Sequence, residues 1–282
     1  MRVVITGAGG NLGRKLAARL QAEAWCETVL GIDVSAFAAE GKVTPIVADL
    51  RDGTDRRWIE AVAAADAVVH FAAENPFPDA SWLESAHSFD MTANLLEHAG
   101  RRSCRFVFAS SNHAMGAYKD APLPAGGKLG GETPPLPGTR FYHGQQELSA
   151  TAYGASKLLG ERALLARAAG SGGRLTGVAT RIGWCQKGEN RPQTISTGDP
   201  AVQDRQSYAR DLTWFRNMWL SDADFLDLYV RALRAPAEGW PAPAIVVSGM
   251  SNNTGMAWDL EAGRRYLGYE PQDDVWRALA AG

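Results

Sequence analysis

Tyr153 and Lys157 stand four residues apart in Tyr153-Gly154-Ala155-Ser156-Lys157, at the head of a segment rich in Ala, Leu, Lys, Glu and Arg. That composition predicts a helix over 152–169, and a spacing of one turn puts the phenol and the ammonium on one face. A phenol ordinarily titrates near pH 10. An adjacent ammonium stabilises the phenolate, so the pair can exchange a proton with a substrate near neutrality. The same spacing also occurs on helices with no such role, so its position in the fold has to decide. It follows the stretch Phe108-Ala109-Ser110-Ser111-Asn112-His113-Ala114-Met115-Gly116, where an apolar strand ends in a run of polar side chains. In an open α/β sheet the carboxyl ends of strands line the ligand crevice, so these polar residues are expected to face what is bound.

A second candidate site lies at the start of the chain. Thr6-Gly7-Ala8-Gly9-Gly10-Asn11-Leu12-Gly13 follows an apolar run, Val3 to Ile5, and precedes Leu12, Leu16 and Leu20 spaced four apart on one helix face. In that context Gly7 permits a tight turn, Gly10 admits a pyrophosphate against the backbone, and Gly13 lets helix and strand pack closely. The helix N-terminus adds N–H donors and partial positive charge. A plain turn would read the same way. Asp33 ends the second apolar run, 20 residues after Gly13. There a carboxylate can accept from both hydroxyls of an adenosine ribose and repel a 2′-phosphate, which favours NAD over NADP. A turn or helix-cap aspartate is the other reading. Asp49-Leu50, after the third run, is placed to address an adenine ring or to make a turn. Hydride leaves a carbinol carbon readily only if the hydroxyl proton leaves in step, so a base belongs beside the nicotinamide.

These side chains need a scaffold, and the apolar runs describe one. Val3 to Ile5, Val29 to Ile32, Ile46 to Val47, Ala67 to Phe71, Phe106 to Phe108 and Leu175 to Ile182 alternate with longer amphipathic segments. Short continuous apolar runs of this kind predict parallel strands covered on both faces, a doubly wound α/β fold. Residues 1–183 are expected to hold the nucleotide. Residues 184–282 are expected to form a smaller substrate-binding region interleaved with a last strand near 244–248. Lys119 to Gly144 is crowded with Pro and Gly and predicts an irregular loop. Asn190 to Asn217 is polar with scattered Arg and Trp and also lacks a sustained period. Either segment could be a lid.

Among 282 residues, 29 Lys and Arg against 31 Asp and Glu leave a formal charge of −2. No basic field is available to attract nucleic acid or an anionic membrane, so a small molecule is the expected partner. The three cysteines, Cys26, Cys104 and Cys185, are scattered without metal-ligand spacing, so no metal is expected and a reducing cytoplasm suits them. The opening MRVVITGAGG reads as a buried strand, not a signal peptide, and no apolar run approaches the roughly 20 residues that span a bilayer.

The glycine turn, Asp33, His70-Phe71-Ala72-Ala73 after the fourth run, Ser110-Ser111 after the fifth and Tyr153/Lys157 together resemble the extended short-chain dehydrogenase/reductase family, the epimerase/dehydratase branch. More narrowly, Phe108 to His113, Arg181-Ile182-Gly183, Trp219 to Phe225, Gly249 to Asn253 and Trp258-Asp259 are similar to uronate dehydrogenases. The resemblance implies a Rossmann fold and NAD-dependent oxidation of a sugar acid at its anomeric carbon to a lactone. Homodimerisation is common in the family. By the same resemblance Ser111 positions the reacting hydroxyl, Tyr153 takes its proton, and Lys157 lowers the tyrosine pKa and binds the nicotinamide ribose. Asn112 and His113 contact the sugar; His113 read alone could equally be a loop residue bonded to backbone. Phe71, Ala72, Ala73 and Ile182 join the cofactor set.

The chain departs from that pattern at three places. Trp184 stands for the serine after Arg-Ile-Gly, Glu74-Asn75 for the serine after the fourth strand, and Ser88 for an asparagine of the proton relay. An indole and a carboxylate would change the pocket's volume and charge. A substrate carboxylate needs a guanidinium fork. Arg191, Arg205, Arg210 and Arg216 are the candidates, with surface solvation the alternative for each. Two other functions share these residues: a nucleotide-sugar epimerase or dehydratase, which returns the hydride, and a non-catalytic NAD-sensing module.

Overall fold

A computed structural model gives the fold and describes residues 1–197, 201 and 205–281. Each apolar run becomes a strand. Five parallel strands come first: β1 (Arg2–Thr6), β2 (Thr28–Asp33), β3 (Val43–Val47), β4 (Ala67–His70) and β5 (Cys104–Ser111). A small antiparallel hairpin, β6 (Arg140–His143) and β7 (Gln146–Ser149), precedes two further parallel strands, β8 (Leu175–Ile182) and β9 (Ala244–Gly249). The helices between and after them are α1 (Asn11–Gln21), α2 (Arg56–Ala63), α3 (Trp82–His98), α4 (Thr151–Ala169), α5 (Arg205–Asn217), α6 (Asp222–Arg234), α7 (Glu261–Leu267) and α8 (Val275–Ala281).

The seven parallel strands form one sheet in the order β3-β2-β1-β4-β5-β8-β9. The chain moves outward from β1 to β3, then returns to the other side of β1. That reversal opens a crevice at the carboxyl ends of β1 and β4. Side chains alternate across the sheet as the pleat requires. Val3, Ile5, Val69, Val107 and Val178 face Leu16 and Leu20 of α1 and Phe225, Leu228 and Tyr229 of α6. Val4, Ile32, Val68, Phe106 and Phe108 face Trp58 of α2, Leu95 of α3 and Leu164 of α4. Burial on both faces is why the strands read as unbroken apolar runs.

The chain after Gly183 does not stay apart from the nucleotide-binding layers. It supplies β9 at the sheet edge and α6 beside α1. What remains gathers into a third apolar cluster that includes Met115, Leu129, Phe215, Trp219, Met250 and Trp258. The stretch 119–144 is largely irregular, yet it is strapped down: Leu129 donates to Ala257 O at 2.8 Å and accepts from Asp259 N at 3.0 Å. The expectation of an aperiodic 190–217 needs correction, because α5 occupies its second half. Phe215 and Asp211, four residues apart and both buried, anchor one helical face. Trp214, beside Phe215, also packs against Trp258 at 4.7 Å.

Candidate active site

At the crevice, a cleft of about 520 Å³ is lined by Gly7, Gly10, Asn11, Leu12, Gly13, Asp33, Asp49, Leu50, Phe71, Ala72 and Ala73, all singled out from the sequence. Gly7 has φ +67°, and a Cβ on Gly13 would come within 2.2 Å of Gly7 O, so neither position accepts another side chain without moving backbone. Helix α1 starts with no side-chain cap and no acidic residue in its first turn. Its unpaired N–H groups therefore open on the cleft as an anion site. The Asp33 carboxylate accepts from Gly9 N and Ser35 N, both at 3.0 Å, which fixes it at the cleft wall. A glycine cradle, an uncapped helix start and a fixed carboxylate fit a dinucleotide.

The second group lies one strand further along the sheet. Ser111 ends β5 opposite Ile182 of β8. Tyr153 and Lys157 occupy the first two turns of α4. A Cβ on Gly154 would come within 2.3 Å of His113 O, so this glycine lets α4 approach the 3-10 turn Asn112–Lys119 that follows β5. Ser111 Oγ accepts from His113 N at 3.1 Å and lies beside the Tyr153 phenol. Lys157 is buried and donates from Nζ to Ala109 O at 2.9 Å, with Nζ 5.6 Å from the centre of the Tyr153 ring. Burial pushes the Lys157 ammonium down to about 8. Burial pushes the Tyr153 phenol up to about 12, and the nearby Ser111 hydroxyl opposes it.

Behind this pair is a buried polar frame. Glu161, one turn beyond Lys157, accepts from Ser110 Oγ at 2.6 Å and from Arg181 Nε and Nη2 at 2.8 Å each. All three residues are buried, and Ser110 and Arg181 are register partners across β5 and β8. The frame ties α4 to the two strands that carry Ser111 and Ile182. His113 is held by Thr139 Oγ1 at 2.6 Å and packs edge-on against the Tyr153 ring at 5.8 Å. Burial lowers its pKa to about 4, so its ring is neutral at ordinary pH. Asn112 Nδ2 donates to Ile182 O at 3.1 Å, while its buried Oδ1 has no protein partner. Such an orphan marks a place where a ligand donor fits.

Several expected sugar contacts are placed elsewhere. Glu74 lines the nucleotide cleft, where it pairs with Arg51 at 3.0 Å and with His87 at 2.6 Å. Asn75 shapes the adjoining turn by accepting from Phe77 N at 3.0 Å. Ser88 Oγ is used up between Glu74 N and Glu84 O, at 3.0 and 2.8 Å. Arg191 is exposed and pairs with its neighbour Glu189, so it is not aimed into a pocket. Arg210 pairs with Asp120 and Asp211 at 3.0 and 2.9 Å. The side chain of Arg205 lies outside the described residues. Arg216 lies over the Trp276 ring at 6.0 Å, and among the described residues no carboxylate pairs with it. Trp184 joins the third apolar cluster, edge-on to Phe215 at 5.7 Å, its backbone N–H donating to Met218 O at 2.7 Å.

Residues 3–182 match the family model described as the NAD dependent epimerase/dehydratase family. The chain belongs to this family. The match ends with β8, so it contains Ser111, Tyr153, Lys157 and the cleft's lining up to Met91, but not Cys185, Lys187 or α5 to α8. Among curated proteins the chain is 30% identical to L-arabinose 1-dehydrogenase (NAD(P)(+)) of Haloferax volcanii, over 97% of each chain. Among solved structures it is similar to a mutated uronate dehydrogenase, with TM-score 0.71 and 25% identity over 99% of this chain and 84% of that one. It is likewise similar to an Agrobacterium tumefaciens uronate dehydrogenase mutant complexed with NAD, with TM-score 0.65 and 26% identity over 99% and 88%.

Three groups of site residues in this family member escaped the sequence reading. Arg51 forks onto Asp49 at 2.8–3.1 Å and reaches Glu74 across the cleft, holding the Asp49 carboxyl below its ordinary pKa. The triplet Asp49-Leu50-Arg51 was a usable signal for it. Pro76 and Phe77 on one side and Cys185 and Lys187 on the other also line the cleft. They come from irregular loops, where no period indicates which way a side chain points.

Proposed function

We propose that this chain is an NAD-dependent dehydrogenase that oxidises the anomeric hydroxyl of a sugar or sugar acid to a lactone. One observation carries the reading. Ser111, Tyr153 and Lys157 converge at the carboxyl end of β5, on the sheet edge that also opens the dinucleotide cleft. The activities named for the L-arabinose and uronate dehydrogenases to which the chain is similar agree with it.

In this reading Gly7, Gly10 and Gly13 admit the diphosphate, Asn11 and Leu12 present the helix N-terminus, and Asp33 takes the adenosine ribose. NAD, when bound, supplies the hydride acceptor and a positive nicotinamide ring. Ser111 Oγ fixes the sugar hydroxyl and Tyr153 accepts its proton as the carbon is oxidised. Lys157 holds positive charge near the phenolate as it forms and stands ready for the nicotinamide ribose. Asn112 Oδ1 accepts from a sugar hydroxyl. His113, neutral, braces the Tyr153 ring by its edge. The carboxylate of an acidic sugar is assigned to Arg216, the cation next to Phe215 and its Trp184 contact. A cytoplasmic, reducing setting suits the three free cysteines. Exposed Trp82 and Leu83 on α3 and Leu159 on α4 support a homodimer through these helices.

A screen of neutral aldoses, hexuronates and secondary alcohols, followed at the NADH absorbance band, tests the reading. Turnover with an aldose or a hexuronate is expected. Binding of NAD without reduction by any of these compounds would instead favour a sensing module.

A further inference from the structure

Between Trp184 and Asn190 the chain crosses the mouth of the dinucleotide cleft. Gln186 O accepts from Asn11 Nδ2 at 3.4 Å, and Gly188 O accepts from Lys15 Nζ at 2.9 Å. Asn11 opens α1 and Lys15 lies one turn on, so residue 187 is bracketed by two bonds to the N-terminal turns of that helix. Asn190 closes the segment with φ +51° and is buried. Its side chain accepts from Gln186 N at 2.7 Å and donates to Leu220 O at 2.7 Å, which fixes the pivot.

Lys187 lines the cleft with Gly10, Asn11 and Leu12. Its ammonium rests over the Phe77 ring on the facing wall, 5.0 Å from the centroid. Neighbouring cations are neutralised: Lys15 by Asp222 at 2.7 Å, Arg51 by Asp49 and Glu74 at 2.8 and 3.0 Å. No carboxylate pairs with Lys187 among the described residues. An uncapped helix start faced by a cation without a counter-ion is a place for two phosphate charges. The aromatic face is a weaker partner than a phosphate oxygen, and a four-carbon stem lets the ammonium exchange one for the other.

We propose that Lys187 binds the dinucleotide's diphosphate, its ammonium leaving the Phe77 ring for a phosphate oxygen. The proposal rests on the dinucleotide reading above. Calorimetric affinities of NAD, ADP-ribose and adenosine for wild type, Lys187→Met and Lys187→Arg test it. Loss of one charge-assisted bond in Lys187→Met is expected to weaken NAD and ADP-ribose about tenfold and leave adenosine unchanged. Lys187→Arg is expected to bind both within about threefold of wild type, since charge and reach are kept. Unaltered ADP-ribose affinity in Lys187→Met would overturn the proposal, as would an equal loss for adenosine. A wild-type protein that binds neither NAD nor ADP-ribose would overturn the dinucleotide reading, and the proposal with it.

Discussion

At the scale of residues, the chemistry depends on how one phenol is tuned. The Tyr153 proton is held tightly by burial, and the Lys157 ammonium is loosened by the same cause. Oxidation needs the phenolate of Tyr153 to accept a proton, and burial holds that phenol up at about 12, so the rate should still be rising with pH where Lys157, pushed down to about 8, begins to lose its charge. Tyr153→Phe is expected to lower kcat by about 10²–10⁴-fold and to flatten that rise, with NAD affinity retained. Initial rates across pH on both proteins check it. Ser111 and the Tyr153/Lys157 pair, to which we assign this chemistry, could be singled out in the sequence because they sit where a strand ends and a helix begins. Glu74 was not. Only its partners Arg51 and His87, 23 and 13 residues away, set it on the nucleotide side.

At the scale of elements, α4 is the part whose placement matters most. Gly154 lets it approach the turn after β5, and Glu161 fastens it to Ser110 and Arg181. Removing one member of a buried ion pair strands the other, at a cost of about 3–5 kcal/mol. Glu161→Met should therefore lower stability by about that much in urea unfolding, while Glu161→Met with Arg181→Met should recover part of the loss. The strands were legible from their apolar runs because both sheet faces are covered. Helix α5 and the β6/β7 hairpin were not. They are held by a few specific contacts, such as buried Lys119 with Asp120 and Asp211 at 3.0 Å each, which leave no repeating pattern in the sequence.

At the scale of the whole molecule, one sheet joins a nucleotide cleft to the proposed proton-transfer centre, and buried neutral histidines lie along that join. His70, between Thr6 and Thr92, is pushed down to about 3, and His113 to about 4, both chiefly by burial. Unfolded, each would titrate near 6.5. The unfolded chain thus binds more protons below that value, and stability present above pH 6.5 is lost as pH falls toward 4. A melting temperature that drops steadily between those pH values is the expected result, read by circular dichroism. The central claim is that hydride leaves the sugar's anomeric carbon and stays on the cofactor. A substrate deuterated at that carbon, turned over with NAD and examined by mass spectrometry and NMR, tests it most directly. One deuterium in each NADH and an unlabelled lactone are the predicted outcome; deuterium retained on the sugar, with NAD unreduced, would contradict it and favour an epimerase.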